Sequence, residues 1–339
     1  MLKRALAMLA VVVAASASTS AFAQKDLKWA ISPVGSSGHK ALVVLADLLN
    51  KQMPEYRIAV LPTPGAIVTI KGFAMGDYDG FYGSDIAFHE LATDTNRFRG
   101  FKAQMKRQPL QSFWGFTLEV GLAVHSRDKD KIKKWGDLTG KRVFTGPLPF
   151  DVRAHLERGM NALGVKFQYV NVDLSAAGSQ LQSGSIDAMN IYTSAESVPP
   201  PWLAEASLAA DWAALNPAPD ELAGLKQFGF PVTEVSPSVF KRDVHVAKVT
   251  LLPFFYGFHV GLDVPDSDVH KMLTVIEKNV ADLAKADTSY VQIAKNMAGM
   301  QRRGVEASAE LVPIHPGLAR YMREKGVWDA KWNARVAAR

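Results

Sequence analysis

The sequence predicts an α/β protein of two lobes, each a mainly parallel sheet flanked by helices, with a ligand cleft between them. Three observations predict it. Three β-turn-α units follow one another between residues 25 and 91. The same scheme returns from Arg142 to Tyr192. Two long apolar runs, Trp114 to His125 and Val249 to Gly261, fit strands that pair where the chain crosses between lobes. Successive βα units form parallel sheets, and such sheets bind ligands at the carboxyl ends of their strands.

The first unit is a short apolar strand ending at Ile31, the turn Ser32-Pro33-Val34-Gly35-Ser36, and a helix starting near Ser37 or Gly38. That helix buries Leu42, Leu45, Ala46, Leu48 and Leu49. Its N-terminus leaves free backbone N–H groups at the positive end of a helix dipole, which attracts anions. Tyr56 to Leu61 is the second strand, and a helix from Ala66 to about Met75 ends at Gly76. Tyr78 to Asp85 holds a third strand with a Gly-Ser-Asp turn, and the next helix begins at Ile86. In the second lobe Arg142 to Thr145 is a strand, Gly146 to Asp151 a turn, and Val152 to Leu163 a helix with Ala154, Leu156, Met160 and Leu163 on one side. A strand from Phe167 to Val170, a helix over Ser179 to Ser183 capped by Gly184, and a strand from Ile186 to Tyr192 complete it. Gly76-x-x-Asp79 and Gly184-x-x-Asp187 precede the third strand of each lobe. Leu203 to Leu215 is expected to be helical, after the stiff linker Pro199-Pro200-Pro201. Helices over Val269 to Ala284, Ser289 to Met300 and Gly317 to Lys325 finish the chain. The expected division is an export signal over 1–23, first lobe 24–122, second lobe 123–249, and a return segment 250–339 that rejoins the first lobe.

The chain has 339 residues, no cysteine, 48% hydrophobic and 21% charged residues. Zinc-thiolate, iron–sulfur and cysteine-nucleophile chemistry are therefore excluded. Met1-Leu2-Lys3-Arg4, the apolar stretch to Ala15 and Ala21-Phe22-Ala23 form a basic, apolar, small-x-small pattern. This predicts export, cleavage before Gln24 and a periplasmic location. The formal charge is +6, and removing the two cations of this segment leaves +4. The basic residues are scattered, without the dense patch and interleaved aromatics of a nucleic-acid surface, so no nucleic-acid partner is expected. No Gly-x-Ser-x-Gly elbow or His-x-x-x-His spacing is present, so no enzymatic activity, metal or cofactor is expected.

The sequence also resembles a known family. Val312-Pro313-Ile314-His315-Pro316-Gly317-Leu318-Ala319-Arg320-Tyr321-Met322-Arg323-Glu324-Lys325-Gly326, Gly140-Lys141-Arg142-Val143, Gly146-Pro147, Arg153, Ala46 to Lys51, and Gly65, Gly76, Asp79, Ser84 and Asp85 are similar to motifs of the TAXI-type extracytoplasmic solute receptors of TRAP transporters. The resemblance implies a type II periplasmic-binding fold that closes on a small solute, such as glutamate, related amino acids or dicarboxylates, and delivers it to a membrane permease. The loops depart from that pattern. Gly35-Ser36-Ser37-Gly38-His39-Lys40 stands where the family reads Gly-Gly-Thr-Tyr-Tyr-Pro. Thr69 replaces an Asn, Gly83 a Gln, and Pro149-Phe150-Asp151-Val152 a Gly-Ser-Gly-Thr. The scaffold is kept while the cleft is rewritten.

The expected ligand is a small organic anion, a carboxylate or amino acid. Arg153 is expected to grip its carboxylate bidentately, with backbone amides at Ser36–Gly38 and Gly146. His39 and the hydroxyls of Ser36, Ser37 and Ser84 are further expected donors. Gly65, Ala66, Gly83 and Thr193 lie in loops expected at the cleft, and Phe150 and Tyr192 are its expected apolar wall. His315 is expected to fix a turn. The expected partners are integral-membrane TRAP permease subunits, with the receptor itself a monomer. The alternatives are a periplasmic ligand sensor for a membrane signalling protein and, with less support, an exported hydrolase.

Overall fold

The computed structural model describes residues 24–338, and the export signal expected over 1–23 lies outside the described residues. In chain order the elements are β1 (Lys25–Ile31), α1 (Ser37–Gln52), β2 (Tyr56–Pro62), α2 (Ala66–Met75), β3 (Gly80–Ser84), α3 (Asp85–Thr93), β4 (Trp114–His125), β5 (Arg142–Phe144), α4 (Asp151–Ala162), β6 (Gln168–Tyr169), α5 (Ala177–Ser183) and β7 (Ala188–Ser194). They continue as α6 (Pro201–Ala209), β8 (Trp212–Leu215), α7 (Pro219–Gln227), β9 (Thr233–Val235), β10 (Val249–Val260), α8 (Asp266–Lys278), α9 (Val280–Ala286), α10 (Val291–Ser308) and α11 (Pro316–Glu324).

The strands join in the order β2-β1-β3-β10-β4-β7-β5-β6, with β8 on β4 and β9 on β10. The order is symmetric about its centre. On one side β2, β1 and β3 run parallel and β10 returns antiparallel to β3. On the other β6, β5 and β7 run parallel and β4 is antiparallel to β7. The two 12-residue strands β4 and β10 pair antiparallel in the middle, with Leu252 opposite Val120. The result is a mixed α/β fold of two similar halves, and the pairing of the two long apolar runs is as expected.

The matching Gly-x-x-Asp motifs have a shared local cause. Gly76 (φ 97°) and Gly184 (φ 76°) both end a helix in the left-handed conformation, which glycine adopts without a Cβ penalty. The aspartate three residues on then closes the edge of the neighbouring strand. Asp79 Oδ2 accepts from Lys28 N at 2.8 Å, and Asp187 Oδ2 accepts from Arg142 N at 2.8 Å. The backbone N–H groups of the same aspartates donate back to Lys28 O and Arg142 O.

Four expectations change. Residues 203–215 are not one helix: α6 stops at Ala209, and Trp212–Leu215 pairs with Leu122–His125 as a fully buried strand. A short apolar run buried on both faces has no periodicity that separates it from a helix. The helix expected over 269–284 breaks at Asn279 (φ −113°, ψ 12°), whose side chain donates to Val275 O. The helix expected over 289–300 runs instead from Val291 to Ser308, with a non-helical residue at Asn296. In α4 the buried face is Val152, His155, Leu156, Gly159 and Met160 rather than a stripe through Ala154 and Leu163.

Helix α10 packs on the buried face of β4 through Gly304. A Cβ at that position falls 2.3 Å from Trp114 Cγ, and Trp114 is fully buried. Gly304→Ala is therefore expected to lower unfolding stability by roughly 1–3 kcal/mol, despite alanine's better helix propensity. The change is read from the urea midpoint at an unchanged slope.

Candidate functional site

The N-termini of α1, α2 and α4 meet at the carboxyl ends of the parallel strands. Ser36 stands before α1 in extended conformation (φ −79°, ψ 155°), and its Oγ accepts from His39 N at 3.3 Å. This cap leaves the amides of Ser37 and Gly38 beyond the reach of any helical carbonyl. At α2 the N-cap is Gly65, with no side chain to satisfy the first turn. The amides of Ala66 and Ile67 are thus the free first-turn donors there. On the opposite lobe α4 begins at Asp151 directly after Phe150.

These termini border one cavity. The first lobe supplies Ser36, Ser37 and Gly38, Gly65 and Ala66, and the ring of Tyr82. The second supplies Phe150, Asp151 and Tyr192. Tyr256 of β10 forms part of the wall and stacks on Tyr82, with ring centroids 4.1 Å apart and planes at 4°. The cavity measures about 30 Å³, room for about one water molecule. Through Ser36, Phe150 and Tyr192 it continues into an open groove of about 650 Å³.

A single polar cluster holds the lobes together behind this cavity. Asp151 reaches out of α4 and is fully buried. Its Oδ2 accepts from Ser84 Oγ at 2.5 Å and from Tyr256 OH at 2.8 Å, and its Oδ1 accepts from Arg97 Nη1 at 2.6 Å. Arg97 also donates through Nε to Glu90 at 2.7 Å. Burial works against the charge of Arg97, but Asp151 and Glu90 outweigh it and raise its pKa. Beside the cluster, burial pushes the Asp85 carboxyl up to about 7 against the amides of Phe255 and Ile86 that it accepts.

Of the residues expected at the ligand, Ser36, Ser37, Gly38, Gly65, Ala66, Phe150 and Tyr192 are brought together around the cavity. The others do not border it. Ser84 spends its hydroxyl on Asp151 and on capping Ala87 N. Gly83 packs under Phe88 and His259. Thr193 is buried and donates to Glu119 at 2.6 Å. The carbonyl of Gly146 accepts from Tyr169 OH. His39 is half-buried and outside the cavity. Arg153 requires a correction: its Nε is bound to Glu157 at 2.7 Å and its guanidinium lies 3.6 Å from the centre of the Tyr169 ring. An arginine in the first turn of α4 points around the helix from Asp151, so it faces a different cavity.

Sequence reasoning missed Tyr82, Tyr256 and Asp151. The signal for Asp151 was present, because an acidic residue in a helix's first turn beside an expected cleft residue complements the dipole. Tyr256 required the register of β10, which sets it opposite Ser84. His315 does fix its turn: Nδ1 accepts from Gly317 N at 3.1 Å as the cap of α11.

No known protein-family model matches the sequence, and no curated protein matches it. Solved structures do align with it. The periplasmic aliphatic sulphonate-binding protein of Escherichia coli aligns at 14% identity over 89% of this chain and 90% of its own, with a TM-score of 0.42. A TRAP periplasmic solute-binding protein of Anaerococcus prevotii with bound glucuronate aligns at 12% identity over 90% and 92%, with a TM-score of 0.41. The probable amino-acid ABC transporter extracellular-binding protein of Bacillus subtilis aligns at 10% identity over 79% and 97%, with a TM-score of 0.45. Among the described residues no helix is long and apolar enough to cross a membrane, and no group of His, Asp and Glu is set to hold a metal ion.

Proposed function

We propose that this chain is an exported solute receptor of the TAXI type, which captures a small organic anion between its lobes and passes it to a TRAP-type membrane permease. The observation that carries the reading is the convergence of the α1, α2 and α4 N-termini on one interlobe cavity. Each terminus carries roughly half a positive charge and free N–H donors. Among the described residues on the wall the ionisable group besides the tyrosines is the Asp151 carboxylate, which is ion-paired with Arg97. The ligand's charge is therefore met by backbone amides rather than by Arg153. Phe150, Tyr82 and Tyr192 favour an apolar body attached to that charge. The export pattern over 1–23 supports the location, and the loop departures from the family pattern support a ligand other than glutamate.

A thermal-shift screen of small carboxylates, amino acids and neutral sugars tests this. A true ligand at a hundred times its Kd adds about 2.7 kcal/mol of stability. Carboxylates are expected to raise the melting temperature; a rise with neutral sugars alone would remove the anion from the reading. Gly38→Ala gives a second check, since a Cβ there falls 2.7 Å from the Tyr82 ring and drives it into the cavity. Carboxylate affinity is expected to fall about tenfold, the effect of about 1.4 kcal/mol.

A further inference from the structure

A second cavity of about 420 Å³ lies on the far side of Asp151, at the seam between α3 with its following loop and α4. Arg97 and His89 border it from the first lobe, and Arg153 and Arg158 from the second. Glu90 and Glu157 are also on its wall, but each is engaged: Glu90 by Arg97 Nε, Glu157 by Arg153 Nε and by the Thr145 hydroxyl. What remains is a surplus of donors. Arg97 Nη2 is buried with no hydrogen-bond partner. Arg158 forms no ion pair among the described residues; its guanidinium rests 4.9 Å from the Phe230 ring centre. Burial lowers the pKa of Arg158, opposed by the charges of Asp85 and Glu90. The buried, unpartnered Arg97 Nη2 and the exposed, unpaired Arg158 guanidinium border the same cavity, and an oxyanion supplies acceptors in the fork geometry both offer.

We propose that this seam cavity is a binding site for a small oxyanion of the phosphate or sulfate type, distinct from the solute cavity and bridging the two lobes through Arg97 and Arg158. Because its ligand touches both lobes, it stabilises their closed arrangement. By linkage, oxyanion and solute then raise each other's affinity by the same factor.

The test is calorimetric titration of the purified chain with inorganic phosphate and with sulfate, against sodium chloride at matched ionic strength. One saturable site is expected for the oxyanions and none for chloride. Arg158→Met keeps a long apolar side chain beside Phe230, and Arg153→Met leaves the Arg97–Asp151 pair intact. Each is expected to weaken phosphate at least about tenfold, with melting temperatures in chloride confirming that both variants fold. Gly38→Ala, which obstructs the solute cavity, is expected to leave phosphate affinity unchanged. Equal heats with chloride, or phosphate affinity unaffected by both arginine substitutions, would overturn the site. Loss of phosphate binding in Gly38→Ala would place the oxyanion in the solute cavity and equally overturn it, while leaving the receptor reading intact.

Discussion

Asp151→Ala is expected to lower unfolding stability by roughly 3–5 kcal/mol, the usual effect of removing one partner from a buried ion pair. The carboxylate is fully buried and accepts three hydrogen bonds, from Ser84, Tyr256 and Arg97. Its loss strands two hydroxyls and leaves Arg97 with Glu90 as its one carboxylate partner, beside the Pro149 carbonyl. The bonds also join α4 of one lobe to β3, β10 and the loop after α3 of the other, so the closed arrangement loosens together with the fold. Urea unfolding reads the stability, and small-angle scattering reads an increased radius of gyration. Asp151→Asn retains acceptor capacity on one atom and is expected to show a smaller change in both. A neutral Asp151→Ala would remove Asp151 from its role as the link between lobes.

The second large effect is a dependence of stability on pH through Glu119. This residue is fully buried on β4. It is bonded to Thr117, to Thr193 at 2.6 Å and to the amide of Glu196 at 2.9 Å. Burial pushes its carboxyl up to about 8, against those three hydrogen bonds, which act to lower it. Thr117 Oγ1 donates to the carboxylate and accepts from Gln292 Nε2 at 2.8 Å, and turning that hydroxyl toward Gln292 Oε1 at 3.1 Å leaves Oγ1 to accept the proton of the neutral acid. A raised acid pKa means the folded state holds a proton that the unfolded chain releases above its ordinary value of 4.5. The associated stability is complete below pH 4.5 and is lost as pH rises to about 8. One such group accounts for about 1.4 kcal/mol per pH unit across that window. The total change between pH 5 and 8 is on the order of 4 kcal/mol. Glu119→Gln keeps the shape, donates to Thr117 and cannot ionise. The difference in stability between variant and parent is therefore expected to grow in the variant's favour from pH 5 to pH 8. A flat difference across that range would show that Glu119 is ionised throughout.

Much of the scaffold was legible in the sequence because its signals are local. The Gly/Ser turn before Ser37, the helix end at Gly76 and the two long apolar runs each reflect a nearest-neighbour or periodic constraint, and each appears in the structure. The run from Leu203 to Leu215 was not legible, because Trp212–Leu215 is buried on both faces and its partner β4 lies far away in sequence. The interlobe cavity was half legible for the same reason. Loop glycines, serines and the Phe150–Tyr192 wall follow from the βα turns. Tyr82 and Tyr256 stack only once β3 and β10 are in register. Arg153 shows the limit most clearly: its position at a helix start pointed to an anion, but the direction of its side chain around α4 is set by Glu157 and Tyr169.

In the proposed receptor, backbone amides at three helix starts hold the solute. Hydrogen–deuterium exchange, with and without the carboxylate that gives the largest thermal shift, tests it most directly. Slowed exchange is expected in three separate segments, 36–39, 65–68 and 150–153, from both lobes at once. Protection confined to other segments, or a bound carboxylate that slows none of these three, would contradict it.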